Sequence, residues 1–247
     1  MNKNYSKWFL SKVQNTVKKH QLIGEKDRIA VGLSGGKDST ALLYILWLLK
    51  NYSHFDFELF GLHIDPGWKN NNLSSLEYFC QRINVPLLTE KTKISEAIMP
   101  RGNLIANPCS LCARLKRGAL TKAAHKHNFS KIALGHHGDD FTETLLLNIL
   151  QGAKFKVFPP RIDYEDKGLS IIRPLVYLEE KTLSALCRKE NLPVIPSPCP
   201  ADGHTRRQEM KELLNIIKKS YPDATRKFVQ ALDNISCEDI WNPPQEN

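Results

Sequence analysis

The sequence of 247 residues has no apolar run long enough to cross a membrane, and no signal-type apolar segment adjoins its basic N-terminus. It also has no internal repeat, no low-complexity tract and no long linker. These absences argue against a membrane protein, a secreted protein and a repeat array, so we expect a cytoplasmic protein. In that compartment its six cysteines favour metal binding or catalysis over disulfides.

Acidic residues are in the minority. There are 26 acidic and 35 basic residues, which gives a net charge of +9 and a pI near 9.2. A basic surplus suits a nucleic-acid partner, although it is also common in proteins that bind none. The length and a hydrophobic content of 41% allow one large domain, or one domain with an appended lobe, around a sizeable core.

A Walker A motif is missing from the main glycine-rich loop, because Val31 occupies its first glycine position and Asp38 follows the lysine. The loop instead reads Ser34-Gly35-Gly36-Lys37-Asp38-Ser39, between a short apolar run and an apolar helix. Glycines, a lysine and a helix start form a site for phosphate or pyrophosphate. The alternative is an ordinary strand-to-helix turn.

Strand and helix patterns alternate from Arg28 onward, which predicts a parallel sheet with helices on both faces. The candidate strands are Arg28–Leu33, Glu58–His63, Pro86–Thr89 and Lys131–Leu134, and the candidate helices are residues 39–50, 73–83 and 111–127, preceded by a leading amphipathic helix over 7–20. Ligands bind beyond the carboxyl ends of such strands. The sequence therefore gathers the glycine loop, residues 63–65 and residues 135–140 at one edge.

Both of the other two segments have an ordinary interpretation beside the functional one. His63 and Asp65 follow the second strand, where adenosine binds in related folds, but Asp65 before Pro-Gly is equally a turn former. Asp140 with Glu143 forms a capping pattern for a helix through residue 151. A further acid, Asp139, beside a triphosphate favours Mg²⁺. Gly135 and His136 are candidates for the adenosine side, with satisfied turn residues as the alternative.

Cys109 and Cys112 have the spacing that places two thiols at one helix start, where the helix dipole favours thiolate. Such a pair is a redox dithiol, half of a zinc site or part of an iron–sulfur cluster. Cys199, held between prolines, is the candidate third ligand. Zinc needs a fourth donor, for which His204 is available, whereas a [4Fe-4S] cluster accepts three thiolates. Cys80, Cys187 and Cys237 fit buried or incidental thiols.

Several motifs together resemble the TtcA-type tRNA 2-thiocytidine synthetase family, a group of ATP pyrophosphatases with a PP-loop. The similarity spans residues 28–214 and is strongest in residues 34–39, 109–118, 134–140, 152–160 and 172–175. It implies a parallel five-stranded HUP-type sheet, a small helical C-terminal lobe and a [4Fe-4S] cluster on Cys109, Cys112 and Cys199. Members of that family usually have a second Cys-x-x-Cys, where this chain has Cys199 alone.

The resemblance implies ATP-dependent thiolation of a tRNA base, most simply 2-thiolation of a cytidine, with tRNA, a sulfide donor such as a cysteine desulfurase system and a homodimer as partners. Lys37 would stabilise the phosphates, and Asp38 and Asp139 would organise Mg²⁺. The implied nucleotide contacts are Leu33, Ser34, Gly35, Gly36, Ser39, His63, Asp65, Gly135, His136 and Asp140. The candidate RNA contacts are Arg114, Lys116, Arg117, Lys154, Lys156, Arg161, Arg206 and Arg207, with solvated or capping faces as the alternative.

We expect an N-terminal helix in 1–24, the ATP pyrophosphatase domain in 25–190 and the C-terminal lobe in 191–247. Lys154–Arg173 is predicted to be a basic connection with a turn at 163–168. Two rival functions remain. A lysidine-synthetase-like ligase leaves the cysteines unexplained, and a non-catalytic RNA-binding module with zinc or a cluster leaves the intact Lys37-Asp38-Ser39 unexplained.

Overall fold

A six-stranded sheet lies at the centre of the computed structural model, which describes residues 5–69, 72–200 and 206–236. The strand order is β3-β2-β1-β4-β6-β5, and all neighbours are parallel except the antiparallel pair of β5 and β6. The strands are β1 (Asp27–Gly32), β2 (Phe57–Asp65), β3 (Leu87–Lys91), β4 (Lys131–Ala133), β5 (Arg161–Tyr164) and β6 (Leu169–Ile172).

Helices cover both faces of this sheet. A π-helical turn at Ser6–Leu10 leads into the first of them. They are α1 (Ser11–Lys19), α2 (Lys37–Tyr52), α3 (Ser74–Arg82), α4 (Ile94–Ile98), α5 (Pro108–Lys126), α6 (Gly138–Gly152), α7 (Glu180–Lys189), α8 (Arg206–Ser220) and α9 (Ala224–Asp233). No helix among the described residues has the length and apolar character needed to span a bilayer.

The hydrophobic cores on the two faces of the sheet follow from the alternation of side chains along β1. Ile29 and Val31 point into the larger core with α2 and the N-terminal helix, whereas Ala30 points into the core beneath α5. All three are fully buried, as in a parallel strand covered on both faces. The predicted α/β class, the parallel arrangement and the leading helix, whose Phe9 is buried, are thus confirmed.

The predicted count of five strands is wrong, and the error lies in residues 154–173. This basic, proline-containing segment was predicted to be a connection, but it contains β5 and β6. β6 pairs with β4 and β5 on either side, and its Ile171 and Ile172 are buried. The predicted turn is present as a 3₁₀ turn ending at Gly168. A four-residue strand is too short to show a period of its own.

The predicted helix cap at Asp140 is also displaced. α6 begins at Gly138, and Asp140 accepts a hydrogen bond from the His137 backbone N–H at 2.9 Å. Asp140 is thus the third residue of the helix, and it reaches back to the residue before it. The division into three domains stays a prediction.

Candidate functional site

The glycine loop joins the carboxyl end of β1 to the start of α2, as predicted. Gly35 has a φ of +85°, and Gly36 is the residue before the helix. The Ser34 backbone N–H donates to the Ser39 Oγ at 3.2 Å, and the Ser39 hydroxyl donates to the Gly36 carbonyl at 2.9 Å. The loop is therefore closed by hydrogen bonds from its own serines.

Gly135 fixes the position of this loop against β4. A Cβ at Gly135 would lie 2.9 Å from the carbonyl carbon and oxygen of Asp38, and 3.0 Å from the Ser39 nitrogen. Because these contacts are backbone atoms, they cannot move aside as a flexible side chain would. Only glycine permits this approach.

Lys37 is held by two carboxylates. Its Nζ lies 2.8 Å from Glu180 Oε1 and 3.0 Å from Asp38 Oδ2. Burial alone would lower the pKa of Lys37, but hydrogen bonds and charges from Glu180 and Asp38 outweigh it and raise that pKa. Lys37 is therefore a cation at the mouth of the loop. Glu180 was missed by the sequence analysis, since it lies far away in the chain, at the start of an ordinary amphipathic helix.

The other carboxylate oxygen of Asp38 is a candidate Mg²⁺ ligand. Asp38 Oδ1 is buried and has no hydrogen-bond partner among the described residues. Its neighbour His137 Nε2 lies 3.6 Å away, beyond hydrogen-bond distance. An unpaired carboxylate oxygen in a buried position is costly unless a cation binds it. Asp38 therefore fits the predicted role.

Asp139 has different surroundings. It is 2% exposed, and its Oδ2 accepts the Glu180 backbone N–H at 2.7 Å. Its Oδ1 accepts from the Thr225 hydroxyl at 2.9 Å and from Lys218. Burial raises the pKa of Asp139, but the hydrogen bonds from Lys218 and Glu180 outweigh this and lower it. Protein donors thus occupy the carboxylate predicted for Mg²⁺, and Asp139 ties α6 to α7, α8 and α9.

His63 is a satisfied histidine at the end of β2. It is 3% exposed, and its Nδ1 lies 2.8 Å from the Leu33 carbonyl oxygen. Burial lowers its pKa. Asp65 Oδ1 accepts the Gly67 backbone N–H at 2.9 Å, the contact expected of a turn former. Both residues therefore shape the strand end, and their contact with adenosine stays a prediction.

His136 belongs to a small aromatic and cationic cluster. Its Nδ1 accepts from Arg173 Nε at 3.3 Å, and its ring centroid lies 4.8 Å from that of Phe158. Burial lowers the pKa of His136 to about 4, so it is neutral at pH 7. The guanidinium of Arg173 also lies 4.8 Å from the Phe158 centroid. Arg173 was missed by the sequence analysis, although it stands in one of the quoted motifs.

Cys109, Cys112 and Cys199 are electrostatic neighbours. Cys109 is exposed, and the other two are half-buried. Burial raises the pKa of Cys112, the charge of Lys116 opposes this, and Cys199 and Cys109 raise it further. The predicted lowering of thiol pKa by the helix start is therefore wrong for Cys112. It lies beyond the first three residues of α5, where the helix N–H groups are already paired.

The described residues contain no group of three or more His, Cys, Asp or Glu side chains placed to hold one metal ion. One zinc ion requires its ligands to converge at Zn–S distances of about 2.3 Å. Thiolates of an iron–sulfur cluster bind different irons, so they tolerate a wider separation. A donor set of three thiols suits a [4Fe-4S] cluster, whose ligands are Cys thiolates. The zinc candidate His204 lies outside the described residues.

The remaining cysteines match their predicted role where they are described. Cys80 and Cys187 are buried, and burial raises the pKa of each to about 11. Buried thiols of this kind are unreactive. Cys237 lies outside the described residues.

Two features connect the cysteines to the phosphate loop. The Ile195 backbone N–H donates to the Gly35 carbonyl at 2.8 Å, so the segment leading to Cys199 is bound to the loop. Lys116 also acts on residues of both parts. Burial raises the pKa of Cys112 and lowers that of His63, and the charge of Lys116 lowers both. Lys116, predicted as an RNA contact, is therefore near enough to influence both Cys112 and His63 through its charge.

The other candidate RNA contacts divide into two groups. Arg207 pairs with Asp140 at 2.7 Å and with Glu143 at 3.1 Å, and Arg161 pairs with Asp163 at 2.8 Å. These two arginines therefore have carboxylate partners within the chain. Arg206 lies 3.7 Å from Glu209 on its own helix, whereas Arg114, Arg117, Lys154 and Lys156 are exposed.

Comparison with known proteins agrees with this geometry. A family described as the PP-loop domain matches residues 7–215. The tRNA-cytidine(32) 2-sulfurtransferases of Citrifermentans bemidjiense and Geotalea uraniireducens are 35% and 37% identical, over 91% of this chain and 89% and 90% of theirs. The U34-tRNA thiolase NcsA of Methanococcus maripaludis, solved with its [4Fe-4S] cluster, has the same fold, with a TM-score of 0.71 and 22% identity over 93% of this chain and 80% of that one. The chain belongs to the PP-loop family and, within it, to the tRNA-cytidine(32) 2-sulfurtransferases.

Proposed function

We propose that this chain is an ATP-dependent tRNA thiolase that adenylates the C2 carbonyl oxygen of a cytidine and replaces that oxygen with sulfur. The observation that carries the proposal is that three neighbouring thiols and the phosphate loop are joined, through the segment before Cys199, whose Ile195 donates to the Gly35 carbonyl. The phosphate loop does not account for the cysteines, and the cysteines do not account for the phosphate loop. An ATP site alone fits many ligases, and a cysteine site alone fits many metal proteins.

The phosphate loop serves the first half-reaction. The base oxygen attacks the α-phosphorus of ATP, and the bond from that phosphorus to the pyrophosphate oxygen breaks. Lys37 and the N–H groups at the start of α2 balance the charge that develops on the departing pyrophosphate. Mg²⁺, held by Asp38 Oδ1, would neutralise the same phosphates.

The cysteines serve the second half-reaction. A [4Fe-4S] cluster on Cys109, Cys112 and Cys199 would leave one iron without a protein thiolate, where sulfide can be presented. Hydrosulfide then attacks the carbon that carries the adenylated oxygen, and AMP leaves with that oxygen. The charge of Lys116, which acts on Cys112, would favour an anionic sulfur nucleophile there.

An exposed basic surface supports the tRNA substrate. Lys154 and Lys156 are exposed and flank Phe155, whose side chain is 61% exposed. Asn148 holds this loop, since its side chain donates to the Lys156 carbonyl at 2.6 Å. Three residues further on, Phe158 contacts His136, so Phe155 lies within about 11 Å of that contact, measured along an extended chain. An exposed aromatic ring between lysines suits an unstacked base and its phosphates.

The sulfide donor, the homodimer and the cytoplasmic location remain predictions. We expect the cytoplasm because tRNA is modified where it is made and used. Binding to tRNA should weaken steeply with salt, as counterions are released from the phosphates.

Anaerobic purification tests the proposal most directly. We expect a brown protein with about four irons per chain, which converts ATP to AMP and pyrophosphate in the presence of tRNA and sulfide. Mass analysis of the nucleosides should then show a thiolated cytidine. One zinc and no iron would overturn the sulfur chemistry, and release of ADP and phosphate would overturn the adenylation. A nucleoside heavier by lysine would favour the lysidine-synthetase-like rival.

A further inference from the structure

Helix α8 lies across the acidic side chains of the nucleotide site. Its Arg207 pairs with Asp140 and Glu143, its Lys211 with Glu180 at 2.9 Å, and its Lys218 with Asp139. These three cations are four and then seven residues apart, so they share one face of the helix. Their partners lie in the first two turns of α6 and at the start of α7.

Glu180 is the point at which this contact reaches the phosphate loop. Its Oε1 accepts hydrogen bonds from both Lys37, at 2.8 Å, and Lys211, at 2.9 Å. Burial alone would raise the pKa of Glu180, but the two lysines outweigh this and lower it to about 2. A single carboxylate oxygen thus holds one cation from the phosphate loop and one from α8.

Binding of ATP would affect Lys37 and Lys211 differently. A lysine that turns from Glu180 towards the phosphates would leave this carboxylate short of one cation, and a partly buried carboxylate without a cation is costly. Glu180 would then compete with ATP for Lys37. Lys211 removes this competition, because it remains on the same oxygen.

We propose that Glu180 is a positioning residue that exchanges cations: it aims Lys37 in the absence of ATP, and Lys211 neutralises it once the phosphates take Lys37. This inference rests on the proposed function for its ligand. It makes α8 part of the ATP site through charge, with no contact to ATP required of Lys211.

Equilibrium binding of Mg-ATP, measured by calorimetry without tRNA or sulfide, tests the exchange. Lys211→Met should weaken ATP binding by about tenfold, within the range of coupling between residues of one ion-pair network. Lys211→Arg should restore it. The matched control is Lys219→Met, which removes the same charge from an exposed position of the same helix and should change the affinity by less than about twofold.

The double variant decides between a role through Glu180 and direct contact with phosphate. In a Glu180→Gln background, Lys211→Met should have no further effect on the affinity, since the competing carboxylate is gone. A weakening that persists in this background means that Lys211 touches ATP itself, and it overturns the proposal. The absence of any weakening in the single variant overturns it too.

Glu180→Gln alone keeps the test open if Lys211→Met does not fold. This variant should bind ATP at least as tightly as the wild type, because nothing then competes for Lys37, and weaker binding contradicts the exchange. Failure of the proposed function looks different. In that case the wild type does not bind ATP, or Lys37→Met binds it equally well.

Discussion

The phosphate loop and the cysteine site differ in how they are held. The loop is closed by hydrogen bonds between Ser34, Gly36 and Ser39, and Gly135 packs against its backbone. The cysteine site brings together the start of α5 and a loop some ninety residues later. Its thiols are exposed or half-buried. One site is held by hydrogen bonds within a single short loop, whereas the other depends on two segments far apart in the chain.

This difference predicts how each site responds to substitution. A substitution in the loop should disturb backbone that packs against the edge of the sheet. It should therefore weaken ATP binding first. A change in the cysteine site should remove sulfur transfer and leave ATP binding in place. The hydrogen bond from Ile195 to Gly35 is the main physical link between them.

The largest effect is expected at the cysteines. Cys112→Ala should reduce thiolation of tRNA to background, because a cluster on three thiolates loses one of its three protein ligands. Binding of ATP should stay within about twofold of the wild type, since the loop is held by separate hydrogen bonds. Thiolated cytidine is measured by mass analysis, and ATP affinity by calorimetry.

Cys80→Ala is the matched control, because it removes a buried thiol with no role in the site. It should keep full thiolation. A Cys112→Ala variant that loses ATP binding as well would show that the two sites are one structural unit and are not held separately.

A methyl group at Gly135 should damage the other site. Gly135→Ala would place Cβ 2.9 Å from the Asp38 carbonyl, so the start of α2 has to shift. A displacement of about 1 Å in a catalytic site can cost about a hundredfold in rate. We expect that loss in ATP turnover, measured as pyrophosphate release, together with weaker ATP binding.

Gly118→Ala provides the comparison, because a Cβ there meets nothing within 4 Å. It adds the same methyl group inside α5 and should leave ATP turnover unchanged. Wild-type turnover in Gly135→Ala would mean that the loop adapts to its ligand and is not set in advance.

A smaller effect concerns pH. The unfolded chain protonates His136 near its ordinary pKa of about 6.5, whereas burial in the folded protein lowers that pKa to about 4. Between these values the unfolded state binds more protons, so the free energy of unfolding falls as the pH falls from 6.5 to 4. The contribution of His136 is up to about 3 kcal/mol.

His136→Asn should therefore flatten this part of the stability curve relative to the wild type, measured by chemical denaturation at several pH values. Burial also lowers the pKa of His20 and His63, so some slope will remain in the variant. An unchanged slope would show that His136 is not the buried titrating group.

The sequence predicted the parts of the molecule that are coded locally. Residues 28–46 contain strand, loop and helix in one run, and the structure reproduces them. Glu180 could not be predicted, because its partner Lys37 lies more than a hundred residues earlier. β6 was missed for a similar reason. Its four residues become a central strand only because β4 and β5 pair with them.

The pKa of a thiol in the cysteine site could not be predicted from the sequence either. The spacing of Cys109 and Cys112 places both at a helix start, which correctly brings the two thiols together. The direction of the pKa shift of Cys112 depends first on burial and then on Cys199, which lies far away in the chain. Spacing within a motif contains no information on either. The role of Arg207 likewise depends on Asp140 and Glu143, which lie in another helix.

The smallest expected effect lies outside both sites, at the end of α6. Ala153 adopts a left-handed conformation with φ 46° and ψ 39°, in which its Cβ is unfavourably close to its own backbone. Glycine has no Cβ, so Ala153→Gly relieves this strain at the cost of a more flexible unfolded chain. We expect a net gain of about 0.5–1 kcal/mol in the free energy of unfolding. The midpoint of thermal unfolding should rise by about 1–4 °C, while ATP affinity and thiolation stay unchanged. Ala153→Ser retains Cβ and should give no gain, and a decrease in stability for the glycine variant would show that the backbone at this position is unstrained.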